Sequence, residues 1–181
     1  MKKQLPQELV GSLITLRAFE ADFIPELFAI ISLQSQQGRR FERPVFNTTK
    51  SFFLDSLERM CDCLGILYGI FDKQTDVLLG AIEIREPNAH QGQLQVWLHE
   101  AYFSRGHYQE ILQLLLPVYF SWSKRMWLNA RVEASNSSSV RAHEKAHFIT
   151  SDEVVVAGRL YYDMVYMLPH ACINAVQKVV A

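Results

Sequence analysis

The sequence lacks an excess of charge of either sign. Eighteen lysine and arginine residues stand against nineteen aspartate and glutamate residues among 181, so the formal net charge is −1. No block of like charges occurs along the chain, whereas electrostatic binding to nucleic acid or to an anionic membrane relies on clustered basic residues. The sequence therefore predicts neither a nucleic-acid partner nor a membrane partner.

Long hydrophobic runs are also missing. Hydrophobic residues make up 49% of the chain, yet no uninterrupted apolar segment approaches the ~20 residues that span a bilayer. The first residues, 1–7, include two lysines but lack the apolar stretch of a signal peptide. These features predict a cytoplasmic location.

Cysteine is scarce and odd in number, with three residues in the chain. An odd count does not form a disulfide framework, and the pair Cys61 and Cys63 has no second ligand pair to complete a zinc site. We therefore expect reduced thiols.

The length of the chain is sufficient for a hydrophobic core. A chain of this length buries roughly 70% of its unfolded surface and needs no disulfide bonds to be stable. Because no repeat, linker or low-complexity tract divides it, residues 1–181 are predicted to form one domain.

Hydrophobic periodicity predicts alternating strands and helices. In chain order, we predict a strand at 13–17, helices at 22–31 and 49–61, strands at 64–71, 77–85 and 93–99, a helix at 108–122 with a kink at Pro117, a strand at 127–134, a helix at 137–147, and a hairpin of 149–157 with 160–168. The loop between the first two helices is predicted at 35–47. This order indicates an α/β (α+β) fold with a mixed, mostly antiparallel central sheet of about seven strands flanked by four helices.

Residues 136–148 admit two incompatible interpretations. In the first, His143, Glu144 and His147 form the H-E-x-x-H pattern, in which two imidazoles on one helix face bind zinc and the glutamate activates a metal-bound water. This interpretation predicts a zinc hydrolase. Such a site needs a third protein ligand, and Glu153 falls inside a predicted strand with no glycine turn leading to it. A simpler interpretation treats both histidines as solvent-facing or helix-end residues.

In the second interpretation, Asn136 caps a helix and Ser139 lies one turn along it. From residue 11 to residue 168, the chain then resembles the GNAT family of acyl-CoA N-acetyltransferases, in particular the branch that acetylates ribosomal-protein N-termini and related amines. Members of that family carry Asn-x-x-Ser followed by a helix ending in Glu-Lys-x-Gly-Phe. The matching positions are Asn136, Ser139, Glu144, Lys145 and Phe148, with His147 in place of the glycine. No metal is expected under this interpretation.

The resemblance implies a fold of this family and transfer of an acetyl group from acetyl-CoA to a primary amine. The family binds the pyrophosphate of CoA with backbone N–H groups of a Gln/Arg-x-x-Gly-x-Gly/Ala turn at a helix N-terminus. The corresponding residues here are Phe103, Ser104, Arg105, Gly106, His107 and Tyr108. Only Gly106 agrees with the pattern, since Phe103 replaces a polar residue and Tyr108 stands where a small residue is usual.

The resemblance also implies the remaining site residues. Trp97 and Leu98 correspond to the stretch whose backbone pairs with the pantetheine arm, and Asn136 to an asparagine that contacts CoA. Ser139 corresponds to the acid that protonates the departing thiolate. His143 stands where other members place a tyrosine acid, and it can donate a proton near neutral pH. Alternatively, Ser139 only bonds back within its helix. The candidates for the general base are Glu83, Glu100 and Glu133, of which we take Glu133, although such glutamates also occur on solvated sheet faces.

Two alternative functions, an acceptor-binding surface and a role for the C-terminal tail are also expected. Because Tyr108 could fill the CoA site, a catalytically silent binding or regulatory protein of the same fold remains an alternative, as does the zinc hydrolase. The family takes its acceptor, a peptide N-terminus or a small amine, from the segments corresponding to 36–43 and 154–162. The apolar tail 170–181 is expected to cover the sheet or to form a homodimer contact.

Overall fold

The computed structural model describes residues 5–36, 46–88 and 91–168. The strands are β1 Glu8–Val10, β2 Ile14–Ala18, β3 Gly65–Asp72, β4 Leu78–Asn88, β5 Gln91–Leu98, β6 Trp127–Glu133, β7 Ile149–Val156 and β8 Arg159–Met167. The α-helices are α1 Ile24–Gln36, α2 Phe46–Cys61, α3 His107–Ser123 and α4 Ser137–Lys145, and short 3-10 helices occupy Ala21–Phe23 and Glu100–Tyr102. Within these ranges, no helix is both long enough and apolar enough to cross a membrane.

The eight strands form one sheet in the order β1-β2-β3-β4-β5-β6-β8-β7. Every neighbouring pair is antiparallel except β5 and β6, which are parallel. The predicted fold class is thus confirmed, with one strand more than expected. The additional strand is β1, whose three residues pair with β2. Three residues are too few to show a period of two in the sequence.

The helices lie where the sequence predicts them, but two boundaries differ by three residues or more. Helix α1 continues to Gln36, five residues beyond its predicted end, and α2 begins at Phe46 instead of Thr49. Both differences shorten the predicted loop at its polar ends, where apolar periodicity gives no signal. Residues 37–45, which include most of the expected acceptor loop, lie outside the described residues, as does the tail 170–181. Helix α3 contains Pro117 and continues to Ser123.

Two hydrophobic clusters cover opposite faces of the sheet. On one face, α3 contributes Leu115 and Phe120 to a cluster with Phe148 and the buried residues of β3 to β6. On the other face, α1 and α2 enclose a smaller cluster around Phe53. Because side chains alternate across a strand, the strands β3, β4 and β5 contribute side chains to both clusters.

The sheet is covered unevenly beyond β5. On β6, Leu128, Ala130 and Val132 are buried in the cluster beneath α3, so the intervening residues face the other side. Helices α1 and α2 pack on β3 and β4, and no helix of the described ranges packs on that side of β6, β8 and β7. On β7, Ile149 and Val155 remain 55% and 68% exposed. In the described part of the molecule, β3 and β4 are therefore covered on both faces and β6 on one, whereas β7 is largely exposed on both.

Candidate active site

The parallel strands β5 and β6 separate partway along their length. Their pairing covers only Gly92 to Leu94 against Leu128 to Ala130, although β5 continues to Leu98 and β6 to Glu133. Because parallel strands have their carboxyl ends at the same edge, the segments leading into α3 and α4 begin side by side above this gap. We refer to the unpaired region between 95–98 and 131–133 as the β5–β6 opening.

The backbone of β5 faces the opening with alternate residues. The N–H of His99 donates to the carbonyl of Leu79 on β4 at 2.8 Å. By the two-residue alternation of an antiparallel ladder, Trp97 also directs its backbone to β4, whereas Val96 and Leu98 direct theirs toward β6. Of the two residues expected to pair with pantetheine, Leu98 therefore has the required backbone direction. The side chain of Trp97 packs on α2 instead, with its ring 5.1 Å from that of Phe53.

The turn before α3 has a left-handed backbone at two positions. Ser104 has a φ of 59° and Gly106 a φ of 86°, and Gly106 is the N-cap of α3. The first bond of the helix runs from the N–H of Glu110 to the carbonyl of Gly106 at 3.1 Å. The N–H groups of 107–109 therefore precede the helical hydrogen bonds and carry the positive end of the helix dipole. This geometry suits an anion.

The space around Gly106 is open. A Cβ added there would meet only the Cδ1 of Leu13, at 3.7 Å. Glycine is therefore required by the positive φ and not by crowding. Arg105 and Ser104 are exposed beside it.

Two polar atoms at the start of α3 are enclosed without partners. The Nδ1 of His107 and the hydroxyl of Tyr108 are buried, and neither has a hydrogen-bond partner among the described residues. Burial raises the pKa of Tyr108 far above its usual range, so its hydroxyl keeps its proton. The Tyr108 ring lies 5.1 Å from the ring of His143 on α4, which joins the two helices beside the opening. An enclosed polar group without a partner costs about 1–3 kcal/mol, so both atoms lower the stability of this end of α3.

Glu110 fixes the start of α3 to the turn between β1 and β2. Its carboxylate accepts the backbone N–H groups of Ser12, Leu13 and Ile14 at 2.7, 2.8 and 2.9 Å, and also the hydroxyl of Ser12. Partial burial acts to raise the pKa of Glu110, but these four hydrogen bonds outweigh it and lower the pKa. No local sequence pattern indicates this contact, because its partners lie almost one hundred residues apart.

The N-terminus of α4 is capped as predicted. The side chain of Asn136 accepts the N–H of Ser139 at 3.1 Å. The Nδ1 of His143 lies 2.8 Å from the carbonyl oxygen of Ser139 and 3.5 Å from its hydroxyl. Since a carbonyl only accepts, Nδ1 carries the proton. The Ser139 hydroxyl can at most accept from that group, and its own proton remains available to another acceptor.

His143 is buried, with 7% of its surface exposed, so the expectation that it faces solvent is wrong. Its ring also packs on Phe148 at 5.1 Å. Burial lowers its pKa, and the hydrogen bond to Ser139 offsets only part of that effect. At neutral pH the imidazole is therefore neutral, with its proton directed at Ser139.

The geometry does not fit the H-E-x-x-H interpretation. Helix α4 ends at Lys145, and His147 has a φ of 67°. His147 is exposed whereas His143 is buried, so the two imidazoles do not share a helix face. Within the described residues, no group of three histidine, cysteine or acidic side chains is arranged to hold a metal ion. The left-handed backbone also explains why glycine is usual in the family at position 147.

The three candidate glutamates lie in different surroundings. Glu133 is half-buried at the end of β6, beside the opening, and Glu100 is half-buried in the 3-10 helix after β5. Glu83 is 2% exposed beneath α2, where its Oε1 accepts the Nε of Arg85 at 2.7 Å. Burial raises the pKa of Glu83. Of the three, Glu133 lies on a strand that borders the opening.

Comparison with solved structures shows which known proteins share this architecture. A ribosomal-protein-serine acetyltransferase from Vibrio cholerae is 19% identical, with a TM-score of 0.71 over 88% of this chain and 97% of its own. RimL, a ribosomal L7/L12 α-N-protein acetyltransferase solved with CoA, is 15% identical, with a TM-score of 0.74 over 88% and 96%. Spermidine N-acetyltransferase from Vibrio cholerae, solved with CoA and spermine, is 17% identical, with a TM-score of 0.70 over 87% and 96%.

Sequence comparison adds the family. No curated protein matches the chain by sequence. The sequence profile described as acetyltransferase (GNAT) domain matches residues 14–149, which is well over half of the chain. That range runs from β2 to the start of β7 and includes the opening, the turn before α3 and the cap of α4. The chain therefore belongs to the GNAT acetyltransferase family.

Proposed function

We propose that this chain transfers the acetyl group of acetyl-CoA directly to a primary amine, either a peptide or protein N-terminus or a small amine. GNAT acetyltransferases use acetyl-CoA. The observation that supports the proposal most strongly is the β5–β6 opening, which lies beneath the N-termini of α3 and α4. It gives an extended ligand access to strand backbone, to an anion-binding turn and to the Ser139 hydroxyl.

The residues at the turn fit the pyrophosphate of CoA despite their departure from the family pattern. The left-handed Ser104 and Gly106 leave open space at the helix N-terminus, and backbone N–H groups bind phosphate whatever side chains they carry. In this proposal 104–108 and Asn136 hold the CoA, and Val96 and Leu98 present backbone to its pantetheine arm.

The chemistry requires a base for the amine and an acid for the thiolate. We assign the acid to Ser139, because its hydroxyl proton is not used by His143. His143 then positions the first turn of α4 and does not itself donate, since its proton is directed at a carbonyl. Glu133 is the proposed base, because it is half-buried at the β6 side of the opening. The backbone N–H of Val96 is placed to polarise the acetyl carbonyl.

The first test is calorimetric titration with acetyl-CoA and with CoA. We expect micromolar affinity, of order −8 kcal/mol. Gly106→Val should abolish binding. Gly158→Val is the matched control, because Gly158 has a φ of 76° and open surroundings in the β7–β8 turn. Both variants impose left-handed strain of roughly 1–2 kcal/mol, so only a local role of Gly106 separates them.

Activity separates the enzyme from a silent protein of the same fold. Ser139→Ala should lower kcat for acetylation of an amine mixture by about 10²-fold or more and leave the affinity for acetyl-CoA unchanged. Binding without transfer to any amine would support the silent alternative, in which the bulk of Tyr108 prevents a productive pose. Saturating acetyl-CoA that produces neither heat nor thermal stabilisation would contradict both.

We also propose a cytoplasmic location. The supporting observation is that Cys61 is an exposed free thiol, as is usual in a reducing compartment.

A further inference from the structure

A polar groove of about 480 Å³ lies on the sheet face opposite α3 and α4. Its lining includes Gln93, Asn129, Arg131, Ser151, Asp152 and Asp163, with Trp127 and Met167 at one end. The strand register makes these residues neighbours, because Gln93 pairs with Asn129 and Arg131 with Asp163. We refer to it as the amide groove.

The two amide side chains on its floor have hydrogen-bonding groups that the described residues do not use. Neither Gln93 nor Asn129 has a hydrogen-bond partner among the residues that the structure describes. Each side chain is half-buried and offers both a donor and an acceptor. A ligand at this position would therefore be held by uncharged groups that donate and accept in alternation.

The charges in the groove largely cancel. Arg131 donates to both carboxylate oxygens of Asp163, at 2.6 and 2.8 Å. Ser151 donates its hydroxyl to the backbone carbonyl of Asp163, and the carboxylate of Asp152 has no cationic partner in the described ranges. A polyamine has a positive charge on each nitrogen and needs several free carboxylates, and a phosphate needs free cations. Among the described residues, the groove offers one carboxylate without a cationic partner and, at Arg131, a cation that is already paired.

The groove also has an apolar end. Trp127 and Met167 are 40% and 60% exposed there, and Val165 lies beside them. A peptide main chain has uncharged donors and acceptors at every residue, and its side chains can include an apolar one. The amide groove therefore fits a peptide better than it fits either charged ligand.

The groove leads to the β5–β6 opening. Gln93 and Asn129 lie in the last paired stretch, and the opening begins immediately after Leu94 and Ala130. Two residues of extended chain cover about 7 Å. A peptide seated on the amides can therefore extend its N-terminal residues into the opening.

We propose that the amide groove binds the main chain of a peptide acceptor, at about its third to fifth residues, while the N-terminal amine enters the β5–β6 opening. This inference rests on the acetyl transfer proposed above and narrows its acceptor to a peptide or protein N-terminus. The amide groove thus contributes affinity for the acceptor that a free amine or a dipeptide lacks.

The test compares acceptors of different length. Two synthetic libraries share randomised first and second residues, but one ends there as an amide and the other continues for six residues of mixed sequence. Acetylation by the full chain with acetyl-CoA is followed by mass spectrometry, with spermidine as a third acceptor. We expect kcat/KM for the long library to exceed that for the dipeptides by at least about tenfold, which corresponds to about 1.4 kcal/mol.

Substitutions of the two groove amides test whether they cause the rate advantage of the long acceptors. The double change Gln93→Ala and Asn129→Ala should bring the ratio of long to short acceptors close to one. Asn129→Asp keeps the shape of the side chain but loses its donor, so it should also lower this ratio and should raise the relative rate with spermidine. Gln113→Ala removes an exposed amide on α3, far from the groove, and should change neither rate. Thermal unfolding of each variant checks that it is folded.

The outcomes distinguish the two proposals. A length advantage that disappears in both groove variants supports the amide groove. No length advantage, or one that persists in the folded double variant, overturns it. Acetylation of spermidine alone overturns the groove and leaves acetyl transfer standing. If acetyl-CoA binds and no acceptor is acetylated, both proposals fail.

Discussion

Two arginine–carboxylate pairs lie on the same face of the sheet and behave in opposite ways. Beneath α2, Glu83 and Arg85 are 3% and 21% exposed at their side chains. In the amide groove, Asp163 and Arg131 are 29% and 43% exposed. Burial raises the pKa of Glu83 even though Arg85 and Ser56 oppose it. The hydrogen bonds from Arg131 lower the pKa of Asp163, because burial there is too slight to compete.

The covering helix accounts for the difference. In the part covered by α2, the free-energy cost of removing the carboxylate from water exceeds the stabilisation that one guanidinium group provides. In the open part, water still solvates the carboxylate, and the arginine adds to that solvation. The covered part can therefore supply stability through apolar contacts, whereas the open part remains available to a polar ligand.

The largest contrast is expected from apolar truncations. Phe53, which is 1% exposed and packs on the rings of Phe19 and Trp97, lies in the covered part. Phe53→Ala should lower the free energy of unfolding by about 3–5 kcal/mol. Val155→Ala on β7, where the side chain is 68% exposed, should change it by less than about 0.5 kcal/mol. Urea unfolding measures both, and similar losses would contradict the division into two parts.

A smaller contrast is expected from the ion pairs. Arg85→Met leaves the Glu83 carboxylate buried without its cation and removes the stacking of Arg85 on Phe52, 4.0 Å from the ring centre. We expect a loss of about 3 kcal/mol, at the low end for a buried pair. Arg131→Met should cost less than about 1 kcal/mol, because solvent and salt screen a half-exposed pair. A loss at Arg131 as large as that at Arg85 would show that the groove pair is structural.

The smallest effect, and the most specific, is the pH dependence. The pKa of Glu83 is higher in the folded protein than in the unfolded chain. The contribution of this carboxyl group to folding stability is therefore complete at pH values below its unfolded pKa of about 4.3, and it is lost as the pH rises through the folded pKa. The pKa of Asp163 is lower in the folded protein. Its contribution to folding stability is therefore present at pH values above its unfolded pKa of about 3.9, and it is lost as the pH falls through the folded pKa. The destabilisation caused by Glu83→Gln should therefore shrink with rising pH, and that caused by Asp163→Asn should grow. Denaturant titrations of the variants and the parent protein between about pH 3 and about pH 8 measure both slopes, and slopes of the same sign would refute the assignment.

Much of the fold was predictable because its elements are amphipathic over many residues. Helix α3 and strands β3, β4 and β5 were placed within a few residues of their observed bounds, and the antiparallel order of β3 to β5 followed from short polar turns. Strand β1 was missed because it is short and is held by pairing with β2. The start of α2 was placed too late because its first residues are polar. The prediction of a single domain and the assignment of catalytic roles stay predictions.

The site was only partly predictable. The cap formed by Asn136 followed from a local pattern, and the position of Gly106 in the turn before α3 followed from the family resemblance. The burial of His143 did not, because it depends on Tyr108 and Phe148, which come from other elements.

The sequence by itself determined the family, the order of elements and the turn that suits an anion, because these depend on local periodicity and on glycine's access to positive φ. Only the tertiary structure decided where β5 and β6 separate, that Glu110 holds the β1–β2 turn, and which of two similar ion pairs is buried. These features depend on distances between residues remote in the chain and on the exclusion of water by a neighbouring helix. Neither quantity is encoded at any single position.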